Sequence, residues 1–307
     1  MDTNQDMLAK VQNAMKAMQR SDLGSSILAR EKRQRFVRTV SASTKLLDRA
    51  RRINMQSHTH DIDRVGFAAR ILRAATEADE PNGESSPNTD TNTLESVEAI
   101  AIAGLTDSTL EDNIEEEDFE NTLIDLIADR AGLDLEELFI QGDKSSSDPF
   151  LALTDGWLKK AANEVDGTSD ADFASDDVES MFDSMIHAVP KKYLRNREDW
   201  KFYAHWDIED AYRNVLRNRG TGLGDSAQTT AQGLAYKGIG VEDSSNMPAG
   251  TVLLAPSSNL VYGMYRDIRI EPDRQAKKRL TDFVTTMRVD CHYEDENAAV
   301  VGRGFSG

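Results

Sequence analysis

The residues best equipped for chemistry are few. Cys291 and His292 are adjacent in FVTTMRVDCHY, a nucleophile beside a base. That stretch alternates like a strand, where neighbouring side chains point to opposite faces, so the pair cannot act as a hydrogen-bonded dyad. His58 and His60 lie two apart with Asp61 and Asp63 beside them. Two imidazoles fall short of the roughly four ligands of a structural metal site, and the pair reads as exposed loop histidines. GTGLG at 220–224 has no strand leading in and no GK[ST] after it, and Asp225 would repel an anion, so it reads as a mobile turn. EDNIEEEDFE lacks the glycine-kinked alternation of a calcium loop and suits a helix start, where the dipole favours carboxylates. No catalytic, cofactor or metal set emerges.

What remains is charge. Arg30, Lys32, Arg33, Arg35, Arg38, Arg51 and Arg52 gather in one segment as candidates for contact with a neighbouring subunit or with DNA. Few aromatics accompany them and no recognition motif does, so base-specific reading is not expected. The chain has 307 residues and a net charge of -18. Residues 1–75 hold fifteen Lys or Arg against seven Asp or Glu, a net of +8, which leaves -26 for residues 76–307. Such a split favours attraction between one copy's N-terminal segment and another's body, or between that segment and a polyanion. The acidic surplus, with more Arg than Lys, also matches proteins of very salty cytoplasm, so a halophilic host is an expectation. The single cysteine excludes an intrachain disulfide and any multi-cysteine zinc site. No apolar run would span a bilayer, and MDTNQDMLAKVQNAMK lacks a signal-peptide core; a soluble protein made in a cytoplasm is expected.

The elements that would position these residues centre on 105–143. Phe119, Leu123, Leu126, Ile127, Ala131, Leu135, Leu138 and Phe139 recur at helical spacing and predict a long helix, the spine of the fold. Asp107 or Ser108 with Glu111 offers a capping start, Gly132 a break, and Gly142 a stop. Leu8, Val11, Met15 and Met18 mark a short amphipathic helix, followed by a basic helical stretch to Arg52. Neither is stable alone, so together they read as an arm. Residues 53–63 form a polar strand unable to bury a core, 77–92 a loop tip, and 94–105 the returning strand of a hairpin that leaves the body. PFLALTDGWLKKAANEV packs near the spine, and a helix over 177–187 ends before Pro190. A strand over 200–206, a helix over 208–217 and short strands up to residue 270 make a second mixed lobe over 170–275. Strands over 283–293 and 298–301 return to the spine's lobe.

This order, with FIQGD closing the spine and PFLALTDGWLKKA after it, resembles the major capsid protein of tailed viruses (Caudoviricetes), the HK-ninety-seven-type fold. AYKGIGVEDSSNMPAGTVLLAPSSNLVYGMYRDIRIEPDR and RVDCHYEDENAAVV carry the more specific part of the likeness, which spans about Arg30 to Val301. The resemblance implies an α+β fold with an N-terminal arm (1–52), an extended β-hairpin loop (53–98), a peripheral domain with the spine helix (99–169 and 276–307) and an axial domain (170–275). It implies a structural subunit, not an enzyme, without cofactor or membrane contact, that assembles into pentamers and hexamers of an icosahedral shell around double-stranded DNA. The product would reside in the virion after synthesis in the host cytoplasm. Scaffold, portal and decoration proteins would be its partners. The arm begins at Met1 without a long scaffolding segment, which implies a separate scaffold or none. The absence of Lys between Lys45 and Lys144 argues against cross-linking through the extended loop. An encapsulin-like compartment shell and a soluble enzyme with an unrecognised site are the alternatives.

Overall fold

The computed structural model describes residues 44–66, 71–72, 87–106, 116–168, 172–194, 196–219, 233–265 and 269–306. The capping start before residue 116, the arm before residue 44 and GTGLG lie outside the described residues, while the basic helical stretch expected to reach Arg52 ends at Arg49, and Arg51 and Arg52 open a strand. The first elements are α1 (Lys45–Arg49), β1 (Arg51–Met55), β2 (Thr59–Gly66), β3 (Asn88–Glu95), β4 (Val97–Thr106) and the spine helix α2 (Glu116–Gln141). There follow α3 (Trp157–Lys160), β5 (Asn163–Asp166), α4 (Val178–Ala188), β6 (Trp200–Ala204) and α5 (Trp206–Asn218). The chain finishes with β7 (Leu234–Tyr236), β8 (Ile239–Asp243), β9 (Val252–Pro256), β10 (Leu260–Tyr265), β11 (Arg269–Gln275), β12 (Leu280–Tyr293) and β13 (Val300–Arg303).

The spine runs unbroken through Gly132, which is buried. Burial of Ala128, Ala131, Leu135, Leu138 and Phe139 offsets the roughly 1 kcal/mol that a helical glycine costs. Among the described side chains of the predicted stripe, Leu126 is the exception, 60% exposed. The helix stops where expected, and a close approach of backbone explains why. A Cβ on Gly142 would lie 2.5 Å from Leu138 O and nearer still to Thr154 O, and Gly156 N donates to Gly142 O at 2.8 Å. Glycine is therefore required there for clearance. The segment after this contact brings Trp157 and Leu158 into the core beside the spine, as its composition suggested.

Two large sheets share the core. In the five-stranded sheet, β12 pairs with β4, β10 and β11, and β1 joins β10 in parallel. The six-stranded sheet has the order β5-β13-β9-β6-β8-β7. Its period-2 alternation feeds two cores at once. Tyr203, Leu253, Ala255 and Val301 face the spine, whereas Phe202, Ala204, Val252, Leu254 and Val300 face α4 and α5. On that second side Phe182 stacks 4.5 Å from Phe202 and 5.5 Å from Tyr212. Asp177 caps α4 by accepting from Glu179 N at 3.0 Å.

Several expectations are corrected. Residues 53–63 are two strands, not one: β1 enters the five-stranded sheet, a bend covers 56–58, and β2 pairs with β3. The returning strand divides at Ser96, its first part closing the hairpin and β4 joining β12. Asn88–Asn92 is strand where a loop was expected, because each residue has a register partner on β2. The hairpin root does bury a small core, Met55, Ile62, Leu94 and Val261, for which Gly263 leaves room. Within 170–275, β10 pairs with β12 of the five-stranded sheet, and β13 pairs with β5 and β9 in the six-stranded sheet, its Val301 packed in the core beside the spine. By contrast, the helix expected over 208–217 with its opening near Asp207 is present as Trp206–Asn218, its start capped by the His205 side chain accepting from Asp207 N.

Candidate assembly interface

The chemical candidates dissolve in the structure. Cys291 is fully buried, its thiol 3.7 Å from Phe139 O and 3.6 Å from Asp155 O, and burial pushes its pKa far above the ordinary thiol range. His292 points to the other face of β12, accepts from Tyr293 N at 2.9 Å, and is held below its ordinary pKa chiefly by burial. Thiol and imidazole do not meet. His58 Nδ1 lies 3.0 Å from Ser96 Oγ at the hairpin root, while Thr93 and Thr91 occupy Asp61 and Asp63 across the ladder at 2.7 and 2.9 Å. Among the described residues no three His, Cys, Asp or Glu converge as a metal set. No helix among them is long and apolar enough to cross a membrane.

Of the basic residues singled out from sequence, Arg30, Lys32, Arg33, Arg35 and Arg38 lie outside the described residues. Arg51 pairs with Glu294 at 2.8 Å, and Arg52 donates to Asn54 at 2.6 Å, both guanidinium groups remaining partly in solvent. They flank the root of the arm, which is firmly seated. Leu46 and Leu47 of α1 are buried, and Glu136 of the spine accepts from Leu46 N at 3.2 Å and from Asn246 Nδ2 at 2.9 Å. Around this point Lys45 meets Asp243 at 2.5 Å and Arg49 meets Glu242 at 2.9 Å. Basic arm root and acidic body therefore pair first within one copy.

The hairpin is fastened in the same way. Arg64 of β2 reaches Asp295, which also accepts from Tyr193 OH at 2.5 Å. Asn92 Nδ2 donates to Tyr293 O at 2.9 Å, and Glu95 N to the buried Asp290 at 2.7 Å. Sequence reading missed Glu136, Asp290 and Asp295, since the partners that give them this role lie 90 to 231 residues away, and the local cap that Asp295 also makes to Asn297 N says nothing of the hairpin. Near the end of β2, Val65 is 67% exposed, and Leu72 beyond it is 80% exposed. On β4 the usual polarity is inverted. Small Ala99, Ala101 and Ala103 share one face, while Ile100 and Ile102 stand 61% and 68% exposed on the other. Large apolar side chains held outward on rigid strands are a surface that awaits a partner.

Comparison with known proteins gives this surface its context. The family model described as "Phage capsid family" matches residues 24–304. The chain belongs to the phage capsid family. A relative named "Putative prophage capsid protein YqbE", from Bacillus subtilis (strain 168), is 33% identical over 309 residues, covering 96% of both chains. Among solved structures, the satellite phage P4 procapsid including size determination (Sid) protein aligns with a TM-score of 0.70 at 15% identity, over 99% of this chain and 98% of that one. The capsid of the native GTA particle gives 0.61 at 19% identity, over 87% and 91%. Mycobacterium phage Adephagia gives 0.58 at 13% identity, over 85% and 89%. The fold of this phage capsid chain is thus the mixed α+β, HK-ninety-seven-type one, and its role is structural.

Proposed function

We propose that this chain is the major capsid subunit, assembling as pentamers and hexamers of an icosahedral shell that encloses double-stranded DNA. The observation that carries the reading is the capsid-family match over residues 24–304 of a chain that also holds large apolar residues outward on β4 and β2. A shell is built from many modest contacts, and such contacts need apolar surface displayed on rigid elements. In this reading residues 1–52 are the arm, 53–98 the extended loop over a neighbour, 99–169 with 276–307 the peripheral domain, and 170–275 the axial domain. The strands β1 and β10 knit the arm root and the axial segment into the peripheral sheet. Arg30, Lys32, Arg33, Arg35 and Arg38, with Arg51 and Arg52 at the root, meet acidic neighbours and the phosphates of packaged DNA through charge alone. Scaffold, portal and decoration proteins belong to the same assembly, and synthesis takes place in the host cytoplasm before the chain enters the virion.

Electron microscopy of the expressed protein, alone and with its neighbouring phage genes, tests the reading. Closed icosahedral particles that protect DNA from nuclease are expected. A monomer or dimer in light scattering at every salt concentration, with no particles, overturns it.

A further inference from the structure

One cavity of about 480 Å³ lies at the C-terminal end of α4, between the turn that follows it and the β7–β8 turn. Its floor is apolar, made by Ile186, Val189 and Ile239. Its rim carries Lys191, Arg197, Lys237 and His187. Among the described residues Lys237 pairs with Asp183, whose carboxylate also faces the charge of His187. Lys191 and Arg197 have no ion-pair partner among the described residues, and both are exposed. A neighbouring amine, Lys192, is turned away over the Tyr193 ring, 4.5 Å from its centroid. Like charges gathered around one concavity repel one another, and they lower their energy when an anion enters it.

We infer that this cavity is a carboxylate-receiving socket between copies, in which acidic side chains of a second copy of this chain seat against the cationic rim. The argument is one of charge complementarity. Residues 76–307, which include the cavity, carry -26 in total, so carboxylates far outnumber the cations that a rim of this sign offers them. In a shell of like copies the anion met most often at each socket is a carboxylate of the next copy. The apolar floor excludes water once the socket is filled, which strengthens the charge contact relative to one in open solvent. The socket also selects orientation, because two acidic faces brought together without it repel. The inference rests on the shell-forming reading proposed above.

The test mixes unlabelled and heavy-isotope-labelled subunits, assembles particles, and treats them with a zero-length carbodiimide that joins amines to carboxylates. Peptides linking Lys191 to an Asp or Glu of a differently labelled copy are expected. In parallel, Lys191→Glu combined with Arg197→Glu should lower particle yield roughly tenfold, with the unfolding midpoint of the isolated subunit unchanged. Links from Lys191 confined to its own chain, or none while other lysines in the same particles react, overturn the socket. So does a charge-reversed variant that builds shells at wild-type yield. Failure of the wild-type protein to form particles under any condition strikes the shell-forming reading itself, and so separates the two.

Discussion

Glu136 shows what a single residue decides in this fold. It is a carboxylate buried in the spine, and burial raises its pKa above 4.5 while the amide of Leu46, Asn246 and the Lys45 charge pull it down. Removing it leaves the buried amide of Leu46 without its acceptor, while Asn246 Nδ2 keeps only Leu133 O. Glu136→Ala should therefore lower stability by about 1–3 kcal/mol in urea denaturation. The pH dependence has a definite sign. A carboxyl with a raised folded pKa binds its proton more tightly in the folded state, so the stability it lends is greatest at low pH and declines as pH rises from 4.5 through the raised value. Glu136→Gln should flatten that decline, and equal slopes for variant and wild type would show that the carboxyl is not perturbed.

At the scale of elements, two junctions hold the architecture. The end of the spine is pressed against the backbone at Thr154 and Gly156, so Gly142→Ala forces the two segments apart. A loss of about 1–3 kcal/mol is expected, read from thermal or urea unfolding, as for other overpacked sites. The hairpin behaves differently, because polar links more than apolar area hold it down. Its buried core is four residues, and Arg64 links β2 to Asp90 on β3 and ties the pair to Asp295 of the body. Arg64→Ala should raise amide hydrogen exchange across β2 and β3 at least several-fold while β9 and β12 keep wild-type protection. Uniformly faster exchange would mean that Arg64 supports the whole fold and not the hairpin alone.

For the whole molecule, the uneven charge is the organising property. A basic N-terminal segment and an acidic body attract one another, within one copy at Lys45, Arg49 and Arg51, and in the proposed shell between copies as well. Deleting residues 1–35 spares α1, Glu136 and both large sheets, so the remaining subunit should fold and stay soluble. It should nevertheless fail to close shells; normal particles in electron micrographs would refute this. Because the attraction is between charges of opposite sign, assembly of the intact chain should weaken as salt screens it beyond the Debye length of about 8 Å at physiological strength.

Local sequence was enough for features set by near neighbours. The spine's position and end, the helix over Val178–Ala188, the strand from Trp200 and the inability of Cys291 and His292 to cooperate all follow from periodicity, capping residues and the pleat of a strand. The order of these segments also pointed to a capsid subunit without any catalytic set. Tertiary structure alone decided where strands went. Which edge β4, β10 and β13 chose depended on partners far away in the chain, as did the choice of Asp290 and Asp295 as anchors for the hairpin. It also turned Ile100 and Ile102 outward, since alternation places residues on two faces but does not say which face is the core until a second layer covers one. The cationic socket was equally invisible, because Lys191, Arg197 and Lys237 converge only when the turn after α4 folds against the β7–β8 turn.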